Sequence, residues 1–212
     1  MKETKFFSYK MADDTGFAPN PFQGFLTLAN CKPCFRQSKK IGDWIAGFTS
    51  KRLNNEKIGE EKLIYLMKVT NKVTYEEYWN TPEFECKKPK LDSVNVEDKA
   101  GDNIYKPNNE HTGGFEQIAN KNHFYYDKEH DLTGKNVLIS NHFYYFGGKP
   151  ITIPDEFRPK IPNGQSAHGS RTYDENKILQ LIDYIESKYP MGVINMPLKW
   201  PKDKNGDNEK DI

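Results

Sequence analysis

Cysteine is scarce in this sequence. Three residues in a chain of 212, an odd number, argue against a disulfide framework and for a reducing compartment. Nor is there a run of about 18 apolar residues that would cross a bilayer, and the opening Met1-Lys2-Glu3-Thr4-Lys5 lacks the apolar segment of a secretory signal. We therefore expect a soluble, cytoplasmic protein with no membrane partner. An excess of one charge is missing as well: 31 basic residues face 30 acidic ones, for a formal net charge of +1. That balance excludes a strongly basic, coat-like nucleic-acid binder, so any such contact must come from a local patch or a pocket. The apolar fraction is only 35% and the mean hydropathy −0.88. Long-period repeats, coiled-coil heptads and the Walker phosphate-loop spacing are absent.

What the chain has instead is aromatic residues. Its 13 Phe and 12 Tyr bury large areas each and favour strands. The length suits one domain over residues 1–201, followed by a polar tail at 202–212 expected to be disordered. Ile41-Gly42-Asp43-Trp44-Ile45-Ala46-Gly47-Phe48-Thr49-Ser50 reads as a tight turn feeding a buried central strand. Residues 5–11 alternate Phe7, Tyr9 and Met11 with mostly polar neighbours, the period of a half-buried strand. Further strands are expected at 25–30, 63–70 and from 136 onward, and a last edge strand or docked tail at 192–200. Thr74-Tyr75-Glu76-Glu77 and Thr172-Tyr173-Asp174-Glu175 carry capping-box spacing, and Ile178, Leu181, Ile182 and Ile185 follow the second at helical period. The fold class is α+β, with a curved mixed sheet or a small barrel and peripheral helices.

Three stretches carry candidate chemistry. Between Cys31 and Asn55 six basic residues accompany a single acid, Asp43. A Trp-bearing strand between basic loops can hold an aromatic base over an anionic backbone, and a buried Trp between solvated loops is the competing reading. The Pro-stiffened loop 12–21 holds Asp13, Asp14, Thr15 and Asn20, which suits a polar site or plain turn bonding. In Cys31-Lys32-Pro33-Cys34 too few residues precede Ile41 for the helix that a redox motif opens, and the one other cysteine is Cys86. We expect no metal and no cofactor there. The loop 165–171 can offer backbone amides, Ser170 and Arg171 to a phosphate at a helix start.

Several separated stretches together resemble the nucleotide modification associated domain proteins, in particular the second family of that series. They are Asp14-Thr15-Gly16-Phe17-Ala18-Pro19-Asn20-Pro21, Leu26-Thr27-Leu28-Ala29 with Cys31-Lys32-Pro33, Gly42-Asp43-Trp44-Ile45, Gly101-Asp102-Asn103-Ile104-Tyr105, and His142-Phe143-Tyr144-Tyr145-Phe146-Gly147. The resemblance implies association with phage or bacterial systems that make or handle modified DNA bases, and supplies no established reaction. In pattern, 36–79 is also similar to the PUA-like domains of the EVE and ASCH types, which implies a small PUA-like β-barrel.

Three functions follow as expectations. The first is a module that binds a nucleotide, or nucleic acid with a modified base, in a pocket. Asp43, Trp44, Asn103, Tyr105, His142 and Tyr144 would hold the base, and Arg36, Lys39, Lys40, Ser170 and Arg171 the phosphate. The second is an enzyme modifying or hydrolysing a nucleotide or modified base. Its candidate catalytic groups are Asp14, His142 and His168, with Asp13 and Asp102 behind them and Cys31 a nucleophile if Lys32 lowers its pKa. The third is an accessory subunit whose basic patch meets an acidic partner protein.

Overall fold

The computed structural model describes residues 5–163 and 174–200, together with the backbone of Ser170 and Arg171. In chain order the strands are β1 (Phe6–Lys10), β2 (Leu26–Leu28), β3 (Trp44–Phe48), β4 (Leu63–Lys68), β5 (Asn71–Thr74), β6 (Tyr105–Pro107), β7 (Phe115–Gln117), β8 (Asn136–Ser140), β9 (His142–Tyr145), β10 (Ser170–Arg171) and β11 (Gly192–Val193). The helices are α1 (Pro33–Ser38), α2 (Lys51–Asn54), α3 (Tyr75–Asn80), α4 (Val96–Lys99), α5 (Lys128–Leu132) and α6 (Glu175–Lys188).

β3 is central, as its apolar run predicts. It lies parallel to β1 on one side and antiparallel to β4 on the other, in a mixed sheet of order β10-β1-β3-β4-β9-β11. A smaller antiparallel sheet has the order β2-β8-β5, and β6 pairs with β7. The two larger sheets share one bent ribbon. β4 runs into β5 and β8 into β9 with short breaks, and the two-stranded pair so formed keeps its antiparallel register across the bend, Lys68↔His142 in one sheet and Asn71↔Ile139 in the other. Ser140 marks the turn, its hydroxyl receiving the His142 N–H and donating to the His142 carbonyl. The result is the curved mixed sheet; the described strands do not close into a barrel.

Side-chain alternation then sorts the aromatics into layers. Phe6, Trp44, Ala46, Phe48, Leu66 and Tyr144 face α6, which buries Ile178, Leu181, Ile182 and Ile185 against them. Phe7, Tyr9, Ile45, Tyr65 and Tyr145 face the second sheet, which contributes Leu26, Leu28 and Leu138. The far side of that sheet, Ala29, Val137 and Ile139, packs on Tyr75, Tyr78, Phe84 and Tyr105. Both faces of β1 are therefore buried, where the sequence reading expects one: Ser8 donates to the Lys160 carbonyl at 2.6 Å, and Lys10 pairs with Glu61 at 2.5 Å. Gly47 leaves room for the Tyr65 ring of the neighbouring strand, since a Cβ there would stand 2.2 Å from it.

Local signals explain the ends. Thr74 and Glu77 form the reciprocal capping box that opens α3. Asp174 caps α6 by accepting the Lys177 N–H at 3.1 Å. Two expectations about helix starts fail: α6 is capped by Asp174 and not by a box with Glu175 at its third position, and the chain after Cys31 does find room for a helix, the short α1, because Cys31 and Lys32 turn it with φ of 60° and 44° and Pro33 starts it. Among the described residues no helix is long and apolar enough to cross a membrane.

Candidate functional site

A cleft of about 410 Å3 opens where β1 leaves the first sheet and β2 leaves the second. Tyr9, Phe17 and Phe35 give it flat apolar walls, and Thr15, Asn30, Lys32 and Asn122 add polar groups. Two of the stretches that carry the family resemblance, 14–21 and 26–29 with 31–33, contribute Thr15, Phe17, Ala18, Leu28, Cys31 and Lys32 to these walls.

The loop after β1 is held from beneath. Lys87 is buried, and its ammonium donates to Asn20 Oδ1, the Phe22 carbonyl and the Phe25 carbonyl at 2.7 Å each. Asn20 Nδ2 in turn donates to the carbonyls of Gly16 and Ala100, both at 2.9 Å. Burial pulls the Lys87 pKa down to about 8, against the opposing pull of the Asp102 carboxylate. Asp14, also buried, accepts the Tyr145 hydroxyl and the Leu198 N–H, the latter at 2.9 Å, which ties residues 198–199 to the core. Burial pushes its carboxyl up, and the hydrogen bond from Tyr145 pulls it back.

The opposite wall turns on Asp131, which the fold buries. Its Oδ1 accepts the Cys31 N–H at 2.7 Å; its Oδ2 accepts from the Tyr105 hydroxyl at 3.0 Å and lies 2.9 Å from His123 Nε2. Arg36 completes this wall, donating from Nε to the Cys31 carbonyl at 2.7 Å and from its other nitrogens to the carbonyls of Asn136 and Asp131. Gly134 makes room, because a Cβ there would stand 2.6 Å from that guanidinium. These bonds hold two non-glycine residues, Cys31 and Lys32, in the left-handed region, a strained arrangement that concentrates at functional sites. Lys32 lays its ammonium 4.8 Å from the Tyr9 ring centre. Tyr9 accepts the Tyr65 hydroxyl at 2.7 Å.

Asn30 is the telling residue. It is 2% exposed, its Nδ2 donates to the Asp102 carbonyl at 2.9 Å, and its Oδ1 has no partner among the described residues. A buried amide oxygen left unpaired is costly, and here it belongs to a residue that lines a cavity.

The residues expected from sequence do not converge. Trp44 and Tyr144 are core rings under α6, and His142 beside them pairs with Glu186 at 2.8 Å. Asn103 and Tyr105 lie beyond the second sheet, Asn103 Nδ2 donating to the Tyr78 carbonyl at 2.9 Å. Asp43 ties its own turn through the Lys40 N–H. Of the phosphate candidates, Arg36 lines the cleft but spends its donors on carbonyls, Lys39 is buried with its ammonium 3.7 Å from the Phe7 ring, and Lys40 is exposed at the turn before β3. Asp13 is at the rim, paired with Arg52 and Lys199. Asp102 is buried between the hydroxyls of Thr27 and Tyr78. His168 and the side chains of Ser170 and Arg171 lie outside the described residues.

The Cys31 thiol runs against the expectation set by Lys32. The residue meets solvent, yet enough protein surrounds its sulfur, with the Asp131 carboxylate adding to the effect, that its pKa is pushed up to about 12. A thiolate nucleophile is not prepared there. Sequence reasoning missed Asn30, His123 and Asp131. Asn122 and His123 stood out in the sequence only within a repeated aromatic string, and nothing in the spacing of Asp131 marks it.

The family model described as nucleotide modification associated domain 2 matches residues 3–204. No curated protein and no solved structure matches the chain.

Proposed function

We propose, from the premise that this chain belongs to the nucleotide modification associated domain 2 family, that the cleft between β1 and β2 binds a nucleotide or a nucleobase, modified bases included, within a phage or bacterial DNA base-modification system. The observation that carries this reading is the unpaired Oδ1 of buried Asn30, a residue that lines a cavity walled by Tyr9, Phe17 and Phe35. A base fits both features at once: its face stacks on a ring, worth about 1–3 kcal/mol, and its edge supplies the missing donor. About 410 Å3 is within the usual range for small-ligand pockets. Binding is favoured over catalysis because the acidic groups at and behind the cleft are already engaged, Asp13 with Arg52 and Lys199, Asp14 with Tyr145 and Leu198, and Asp131 with Cys31 and Tyr105.

The test is a thermal-shift panel of free nucleosides, nucleotides and short oligonucleotides, plain and base-modified. A ligand at about 100 times its dissociation constant stabilises the fold by roughly 2.7 kcal/mol. Phe17→Leu removes a cleft ring and should abolish the shift, whereas Phe48→Leu, a similar loss in the core under α6, should lower stability and leave the shift intact. No shift with any compound, or equal losses in both variants, would refute the proposal.

A further inference from the structure

We propose, resting on the reading of the cleft as a base pocket, that its occupant is one nucleotide of a single-stranded stretch of DNA, and that a flanking base of the same strand stacks on Phe124 and Tyr126 outside the cleft.

The first observation is a group of large rings in water. Phe124, Tyr125 and Tyr126 are 60%, 68% and 78% exposed. They end the string Asn122-His123-Phe124-Tyr125-Tyr126, which recurs as Asn141-His142-Phe143-Tyr144-Tyr145. In the second copy the three rings are buried; in the first they add nothing to the core and form an apolar patch, the kind of surface that marks an interaction site. Between 119 and 131 there is no Leu, Ile, Val or Met, so the patch consists of flat rings alone. Phe124 and Tyr126 lie parallel within 9°, their centres 5.3 Å apart. Their exposure leaves that stack open to a further planar group, and a base offers one whatever its sequence.

The backbone that carries the rings is fixed. Asn120 Oδ1 accepts the Asn122 N–H at 2.8 Å, and its Nδ2 donates to the Gly101 carbonyl at 2.9 Å. His123 is buried, 2.9 Å from Asp131 and with its ring centre 5.4 Å from that of Phe17. The Phe124 carbonyl accepts the Asp127 N–H at 3.1 Å. Less freedom is then lost when a partner settles on the patch.

Position joins the patch to the cleft. Asn122 lines the cleft, and Phe124 follows it by two residues, at most about 7 Å of chain. A stacked strand advances about 3.4 Å per base, so one strand reaches both places within a few nucleotides. Lys32 in the cleft and exposed Lys121 beside Asn122 bring cations to its phosphates. In a duplex each base is covered on both faces by its neighbours, and neither the cleft nor the rings can take one without unstacking it. An unpaired strand presents those faces directly.

Isothermal titration of the full chain tests this. The ligands are the four deoxynucleoside monophosphates, homohexamers of deoxyadenosine, deoxycytidine and thymidine, the monophosphate and hexamer of hydroxymethyldeoxycytidine, the ribo form of each plain hexamer, and a short duplex. The hexamer of a base that the cleft accepts should bind about tenfold tighter than its monophosphate, beyond the sixfold that six equivalent bases give statistically, and tighter than the duplex. Phe124→Ala/Tyr126→Ala should reduce the hexamer to that statistical factor while leaving monophosphate affinity and melting temperature unchanged, because both rings are exposed. Phe17→Leu should weaken hexamer and monophosphate alike. A hexamer showing only the statistical factor, an advantage that survives the double variant, or a duplex or ribo form binding as tightly overturns the DNA strand and leaves the base pocket standing. So does a dimer in sedimentation that the double variant splits, since the rings then cover a second copy. Binding by none of the compounds overturns the pocket itself.

Discussion

Replacing Lys87 by Met would keep the side-chain stem and remove the ammonium that holds the loop after β1. Three short charge-assisted hydrogen bonds disappear, to Asn20 Oδ1 and to the carbonyls of Phe22 and Phe25. At about 1.5–3 kcal/mol each, their gross contribution is about 4–9 kcal/mol. Against this stands the cost of burying the ammonium. A fall to about 8 from the ordinary lysine value corresponds to about 3 kcal/mol. The expected net loss at pH 7 is therefore about 3 kcal/mol, read from the urea midpoint. The pH dependence supplies a second check. Because the folded-state value is the lower one, the unfolded chain still holds a proton that the folded chain has shed between about pH 8 and pH 10.5. The wild type thus carries its full burial penalty below pH 8 and gains stability relative to Lys87→Met as pH climbs through that window. The gap should widen by about 1 kcal/mol between pH 7 and pH 9. A variant within about 0.5 kcal/mol of wild type at pH 7, or a gap that narrows towards pH 9, would refute the reasoning.

Trp44→Ala and Tyr144→Ala should each cost about 3–5 kcal/mol, as buried core rings do, with ligand affinity of the folded fraction unchanged; a well-folded variant that has lost binding would restore these rings to the site. Burial holds the hydroxyls of Tyr9, Tyr65, Tyr78 and Tyr145 protonated beyond the usual phenol range. The unfolded chain therefore loses protons first, stability falls above about pH 10, and tyrosinate absorbance should rise together with cooperative unfolding; a gradual rise in a chain that stays folded contradicts this. At pH 8 Cys31 should react with iodoacetamide far more slowly than a free thiol, since it is held protonated up to about 12, and peptide mass spectrometry showing it among the first sites labelled would contradict the geometry.

Local rules carried the elements, and contacts between distant segments carried the site. The capping box at Thr74 and Glu77 and the helical period of Ile178, Leu181, Ile182 and Ile185 each depend on neighbours a few residues apart, so they can be read from the string of residues. The central position of β3 is legible for the same reason. Asp131 is different: it works by meeting Cys31, Tyr105 and His123, partners 100, 26 and 8 residues away in sequence. Asn30 is significant because of a bond it lacks, which no pattern displays. Trp44 misleads because a stacking ring and a core ring have the same sequence signature, and only the helix lying over it separates the two. Two of the five stretches behind the family resemblance fared better, since 14–21 and 26–29 with 31–33 contribute to the cleft walls.

The ribbon shared by the two larger sheets gives the molecule the mechanics of a bound book. β4–β5 and β8–β9 form the spine, and the cleft takes Tyr9 and Met11 from one cover and Leu28 and Asn30 from the other. Neither cover slides along its partner without tearing the ribbon's register, and the core packed between them, Phe7 and Tyr65 with Leu26 and Leu28, holds them together. An occupant gripping both covers acts as a clasp at their free edges. Its grip should register far from the point of contact, as slower hydrogen exchange along the fold of the spine itself.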